Sequence, residues 1–367
     1  MSLLLLSIII ICVFFILGGI VKPIDVRSPS FKKMRGLLYL CVVLFTTQIM
    51  LNSGSRADLI RQFEEINELR SGGTEILQRD LRWSVLWGKY ILFYLVSLQD
   101  NNMLLLLVSA VLTYGIVFYL WNEKIKSDYV SSYLYALSFL AFTSMCTFVN
   151  VTNSVRYPLA SAIASLAVFL YSKHGKIFLS LGLAVLSLAI HQGTAIVFVI
   201  AVVAYMIKNR RRRLFLCIGG SMLFSLAGQV LSVFQNKYLN FLGQNISSYL
   251  KSGALDSRSF GVSCLVFSLL LTVLVLNNKN SEGATYYNDF LETLVFMSSA
   301  CVSIPVISQR ILLVIAINSL AIISQIMNCK LWKNKKLGAI ATCMFVFTLI
   351  PMYYYDIYVF KNVYTLK

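Results

Sequence analysis

Charge is what this sequence has least of. Only 13% of its 367 residues are charged while 58% are apolar, and the mean hydropathy is +0.76. Soluble domains carry roughly 45–50% apolar residues, so a water-soluble globule is excluded. Histidine occurs twice in the whole chain, which excludes zinc chemistry. Eight cysteines are present, but no CxxC pair or Cys/His spacing. Cys12, Cys41, Cys146, Cys217, Cys264, Cys301 and Cys343 fall inside apolar runs and Cys329 ends one, so a disulfide framework is excluded too. Such thiols are small apolar fillers. Acidic residues are also scarce, 15 against 32 Lys and Arg, for a net charge of +17. The basic residues sit in short clusters between apolar runs, where they mark orientation in a membrane rather than a nucleic-acid partner.

What the sequence has in quantity is hydrocarbon. Crossing a bilayer core takes roughly 20 apolar residues as helix. Runs near 3–21, 36–52, 103–121, 129–149, 157–172, 177–190, 193–207, 214–233, 259–277, 288–305, 310–327 and 337–353 predict about twelve spans. The expected fold is therefore all-α, a polytopic integral membrane helix bundle spanning 1–367 as one domain. Leu3–Val21 reads as a span and not a cleaved signal, because no small-residue cleavage site follows it and Lys22 comes after the run. Trp83–Leu98 is short, contains Lys89, and has Trp83 and Trp87 at its start, so it reads as an interfacial or re-entrant helix. That choice puts Lys22–Arg35, Lys173–Lys176, Lys208–Arg213 and Lys330–Lys336 on one side, the cytoplasmic one. Loops at about 52–102 and 234–258 then face outward. In the first, Leu59, Phe63, Ile66 and Leu69 recur at i, i+3, i+4 spacing and predict an amphipathic helix.

A charge near hydrocarbon costs at least about 2.5–3.5 kcal/mol at a helix centre, so each one stranded there needs a reason. Arg156 sits in Asn153–Ser154–Val155–Arg156–Tyr157–Pro158 at an outer helix start. Pro158 suits a first helical turn, and such a terminus aims free N–H groups at an anion. A snorkelling interfacial arginine is the alternative. His191, followed by Gln192, lies between two apolar runs of about 14 residues, each about 20 Å long and short of the roughly 30 Å core. Such a hairpin would leave His191 recessed in an outward-open cavity, where its ordinary pKa near 6.5 suits a general base. A hydrogen-bonded core histidine is the alternative. Arg310, beside Gln309, marks a third outer helix end, and Arg56 and Asp58 open the first outer loop. Together these residues predict an outward-facing site for an anionic ligand with a titratable group beside it.

The Asn-x-x-Arg pattern of Asn153–Arg156, the following Leu159–Ala160 on a small-residue helix, and Ile190–His191 some 35 residues later resemble the EpsG-like branch of Wzy-type polysaccharide polymerases. Ser55–Arg56–Ala57–Asp58 through Phe63 has a counterpart in the acidic-aromatic motif of that family's first outer loop. The resemblance covers roughly residues 50 to 320. Tyr157 and Pro158 depart from the family's pattern after the arginine. The resemblance implies an inverting glycosyltransferase of GT-C-type architecture in the bacterial cytoplasmic membrane. Donor and acceptor would be undecaprenyl-diphosphate-linked oligosaccharides, joined at the outer face into O-antigen, capsule or exopolysaccharide. It also implies membrane lipid and a chain-length regulator as partners, with no nucleotide sugar, no required metal and no cofactor.

In that chemistry an acceptor hydroxyl attacks the anomeric carbon of the growing chain and lipid diphosphate departs. Arg156 and Arg310 are the candidates for the diphosphate, with Arg56, Asn153, Gln309 and Gln192 as further substrate contacts. His191 is the candidate base and Asp58 its competitor. Tyr157 and Tyr286 are candidates for stacking on sugar. Two other readings stand beside this one: a flippase or transporter of the lipid-linked sugar, and a membrane O-acyltransferase with a buried histidine.

Overall fold

The computed structural model describes residues 25–52, 57–128, 130–145, 151, 155–231, 258–277, 286–301 and 304–327. The spans expected at 3–21 and 337–353, and nearly all of the loop at 234–258, lie outside the described residues. Among the described residues the fold is all-helical, with thirteen α-helices and no strand. Those within Met1–Phe198 and Ile317–Ala321 form one compact unit, and those within Val199–Ala316 and Ile322–Tyr355 form another.

The first unit begins with α1 (Pro29–Asn52) and α2 (Ala57–Trp83). On α2 the expected apolar face forms: Leu59, Ile66 and Leu69 are buried and Phe63 half-buried. The helix is kinked at Gly73, whose φ of 55° and ψ of −137° suit only a residue without a side chain. The kink lets Arg79 reach Glu68 at 3.0 Å. Along a straight helix those eleven positions would be about 16 Å apart. Next comes α3 (Trp87–Ser97), whose 11 residues reach about 16 Å, too short to cross a bilayer. Arg70 of α2 holds its far end, donating to the carbonyls of Ser97 and Gln99 at 3.3 and 2.6 Å and to Asn102 at 2.7 Å.

Then follow α4 (Met103–Ser127), α5 (Ser132–Met145), α6 (Arg156–His174) and α7 (Ile177–Ile190). Buried Ala160, Ala164 and Ala167 let α6 and α7 approach closely. Ser180 Oγ donates to the Ala167 carbonyl at 2.7 Å, and Ser187 Oγ lies 2.9 Å from that of Ala160. Leu159, Ala160 and Ile163 of α6 pack on Ile190, with Leu92 of α3, Ile116 of α4 and Leu183 and Leu186 of α7 around them. This core draws one end each of α3, α6 and α7 together. The other face of α7 is apolar and exposed, with Phe178 at 91%. A short 3-10 turn, Gln192–Thr194, leads into α8 (Ala195–Met206).

The remaining helices are α9 (Arg210–Leu231), α10 (Arg258–Asn277), α11 (Tyr286–Ala300), α12 (Pro305–Ile317) and α13 (Ser319–Met327). Two features of this stretch go beyond its run lengths and charge clusters. The basic cluster Lys208–Arg213 is not simply a solvated loop. Arg213 is 1% exposed, and it donates to Glu292 at 2.8 Å and Asp289 at 2.9 Å, while Arg210 grips Glu292 at 3.0 and 2.5 Å. Gln325 adds a third donor to Glu292 at 3.1 Å. The apolar run 310–327 is two helices bent by 80°, with Asn318 at the break. A buried amide needs a partner, and Asn318 finds one sideways, donating to Ser165 Oγ at 3.0 Å.

Among the described residues one helix, α4, is by itself long and apolar enough to cross a membrane, with the bent pair α12–α13 as a second candidate. The segments Ser132–Thr143, Ile177–Ile190, Gln192–Met206 and Val266–Leu276 are apolar but shorter.

Candidate functional site

The site of the first unit starts from a glycine. A Cβ on Gly88 would lie 3.1 Å from the Ala189 side chain and 3.2 Å from the Ala189 carbonyl carbon, so only glycine lets α3 approach the end of α7. That contact carries the next residue inward. Lys89 is 5% exposed, its ammonium paired with Glu65 of α2 and set over the rings of Tyr90 at 4.5 Å and Phe93 at 5.4 Å. Burial pushes the Lys89 pKa below the usual lysine value. Glu65 opposes the shift, while the charges of Arg156 and Arg61 add to it. Both arginines are therefore neighbours of Lys89 in the electrostatic sense.

Arg156 is the first residue of α6 and is half-buried. Val155 precedes that helix with no side-chain cap hydrogen bond, and its carbonyl accepts from Ser109 Oγ at 3.1 Å. Among the described residues no carboxylate forms an ion pair with Arg156. The positive end of a helix dipole and a planar fork of donors thus coincide at one spot.

Tyr157, buried, turns its ring edge-to-face with His191, centroids 5.1 Å apart at 69°. The histidine terminates α7 in an extended conformation and starts the 3-10 turn. Its backbone N–H donates to Ser187 at 3.0 Å, and its carbonyl accepts from Thr194 Oγ1 at 2.8 Å. Ser187 Oγ lies 2.9 Å from Thr194 Oγ1, so the turn is hydrogen-bonded at several points. On the ring, Nδ1 accepts the Gly193 N–H at 3.0 Å. A neutral imidazole in that arrangement carries its hydrogen on Nε2.

Of the expected site residues, Asp58, Arg156, His191 and Gln192 belong to this unit. Asp58, in the first turn of α2, accepts from Arg61 at 2.6 Å and from Gln62 at 3.2 Å. Gln192 opens the 3-10 turn and is exposed. Arg56 and Asn153 lie outside the described residues. Arg310, half-buried, and exposed Gln309 sit on α12 in the second unit. Tyr286, expected as a sugar-stacking candidate, donates its hydroxyl to the Ala201 carbonyl at 2.8 Å and meets Tyr205 edge-on at 5.5 Å.

The sequence reading missed Lys89 and Glu65 as parts of the site, and Asp289 and Glu292 as partners for the basic cluster. Signals for both were present. Lys89 interrupts an apolar run, and Asp289 and Glu292 stand three apart on an otherwise uncharged helix, the spacing of one face. Among the described residues no group of three His, Cys, Asp or Glu side chains is arranged to hold a metal ion.

Comparison with curated proteins and with solved structures finds no match. A family model does match, over residues 86–366, which takes in Lys89, Arg156, His191 and Arg310. That family has a polysaccharide-polymerase-like role. With some three quarters of its length inside the match, the chain belongs to the EpsG family.

Proposed function

We propose that this chain is a multi-pass enzyme of the bacterial cytoplasmic membrane that joins undecaprenyl-diphosphate-linked oligosaccharide repeats at its outer face. The product is O-antigen, capsule or exopolysaccharide, and the architecture is that of an inverting GT-C-type glycosyltransferase. One observation carries the reading. Arg156 and His191 are 35 positions apart, yet the Tyr157–His191 contact and the α3–α7 approach gather them beside Lys89, inside the family-matched segment. Exposed apolar side chains along α7 supply a face for lipid.

The chemistry assigned to these residues follows from charge. As the anomeric C–O bond breaks, the electron pair leaves with the lipid diphosphate, while the acceptor oxygen forms the new bond and loses its proton. Arg156 and the first turn of α6 bind the departing diphosphate more tightly as its charge grows, which lowers the barrier. Arg310 and Gln309, on the second unit, are proposed as further contacts for an anionic substrate, and Arg56, Asn153 and Gln192 as substrate contacts. His191 takes the proton at Nδ1, giving up the Gly193 hydrogen bond at a cost of about 0.5–1.5 kcal/mol. Asp58 is the second candidate for that proton. Lys89, committed to Glu65, holds α2 against α3 and adds positive potential behind Arg156.

The test is polymerisation by purified protein in liposomes supplied with synthetic undecaprenyl-diphosphate-linked repeats. Products lengthening by whole repeats, with free undecaprenyl diphosphate appearing in step, are expected. Movement of intact lipid-linked sugar across the bilayer without any new glycosidic bond would make the chain a transporter.

A further inference from the structure

The geometry points to an anionic-phospholipid site between α1 and α4, in which Lys32, Arg35 and Asn122 hold a phosphodiester headgroup. It rests on the membrane reading above, which assigns no role to this place.

A cavity of about 370 Å³ opens there, and missing side chains shape it. Nothing lies within 4 Å of a Cβ built on Gly36, and at Gly115 only the Tyr39 hydroxyl does, at 3.8 Å. The floor is aromatic and anchored. Tyr39 donates its hydroxyl to the Val111 carbonyl at 3.2 Å and meets Phe118 edge-on at 5.6 Å, with Tyr119 also lining the space. Arg35 donates to Asn122 Oδ1 at 3.1 Å and stands 5.9 Å over the Phe31 ring. An amide oxygen and a ring leave the guanidinium charge unneutralised. No lining residue is acidic, and the nearby acids of α4 and its end are taken: Glu123 by Lys126 at 2.7 Å, Asp128 by Lys124.

Among the described residues neither cation has a carboxylate partner, and two such cations select a net negative ligand. A zwitterionic headgroup would bring its ammonium against Lys32 and Arg35 with nothing to receive it. Exposed Leu37, Leu40 and Leu44 form a stripe on α1, and Val111 and Leu112 are exposed on α4. These exposed apolar side chains on the two helices that line the cavity give acyl chains a place to lie, which free phosphate would not use.

Native mass spectrometry of the detergent-purified chain, titrated with phosphatidylglycerol or phosphatidylcholine, tests the site. Preference for phosphatidylglycerol by about tenfold is expected from two cations near a lipid surface. K32Q/R35Q should abolish it by removing charge, and G115L by filling the cavity with the charge intact, with thermal unfolding confirming that each variant is folded. Equal binding of the two lipids, or an unchanged preference in both folded variants, overturns the inference. Displacement of the lipid by millimolar inorganic phosphate would make this a free-phosphate site and overturn it as well. Alkaline carbonate extraction of membranes separates the two levels. Release of the chain would sink the membrane reading and the lipid site together, whereas a retained chain without lipid preference sinks the lipid site alone.

Discussion

The edge of the Tyr157 ring meets the imidazole of His191 with centroids 5.1 Å apart, which ties the first turn of α6 to the end of α7. Because Arg156 precedes that tyrosine, the guanidinium fork proposed for the diphosphate and a titratable ring are held on adjoining helix ends. The same histidine also has a structural duty, since Nδ1 accepts the Gly193 N–H. The two duties predict different mutational behaviour.

His191→Asn places an amide oxygen where Nδ1 stood, so it keeps the bond to Gly193 but cannot take a proton near neutral pH. It is expected to fold with near-normal thermal stability and to lose about 10²–10⁴-fold in polymerisation rate. His191→Gln reaches the Nε2 position instead and should lower both stability and turnover. Full turnover in the Asn variant would reduce His191 to a cap and pass the proton to Asp58. The readout is product per folded protein, measured across pH.

Arg156→Lys retains charge but loses the planar fork. A point charge cannot hold two phosphate oxygens at once, so polymer yield should fall substantially at normal protein abundance. Binding of undecaprenyl diphosphate, measured directly, should weaken in parallel. Unchanged product binding would remove Arg156 from the leaving-group role.

Gly88→Val tests whether the α3–α7 approach matters. Its Cβ would meet Ala189 backbone at 3.2 Å, which cannot be relieved by rotating a side chain. Overpacking of this kind typically costs about 1–3 kcal/mol. The variant should show a lowered unfolding temperature and weakened activity, because displacing α3 also displaces Lys89. Gly88→Ala should fall between Val and wild type.

Arg213 and Glu292 make the last prediction. Both side chains are 1% exposed, and Glu292 accepts from Arg210, Arg213 and Gln325. Removing Glu292 takes away the carboxylate that Arg210 grips and leaves Asp289 as the carboxylate partner of Arg213; breaking a buried pair of this kind typically costs about 3–5 kcal/mol. Glu292→Ala should therefore be poorly folded and scarce in membranes. A combined Arg213→Met and Glu292→Leu replacement should recover part of the loss. Normal abundance of Glu292→Ala would show that the network contributes little to folding.

Much of this chain was legible from its residues because hydrophobic patterning is local information. Scarce charge and long apolar runs required helices, and the i, i+3, i+4 spacing in α2 required the buried face of Leu59, Ile66 and Leu69. Arg156 and His191 stood out because an ionisable group inside an apolar run has to have a reason. The residues around that run also carried the EpsG resemblance, which the family match bears out.

Only the tertiary structure decided which charges meet. A sequence shows that Lys89 interrupts an apolar run, but its ion pair with Glu65 depends on α2 lying against α3, and its burial on Gly88 admitting α7. Lys208–Arg213 reads as a block of like charge, yet Arg210 and Arg213 turn inward because Asp289 and Glu292, some eighty residues on, come to stand beside them. At the break the buried Asn318 amide likewise finds a partner, Ser165, that is remote in the chain. Burial and pairing are pairwise properties of distant residues, and a desolvated charge is stable only where the fold has supplied its opposite.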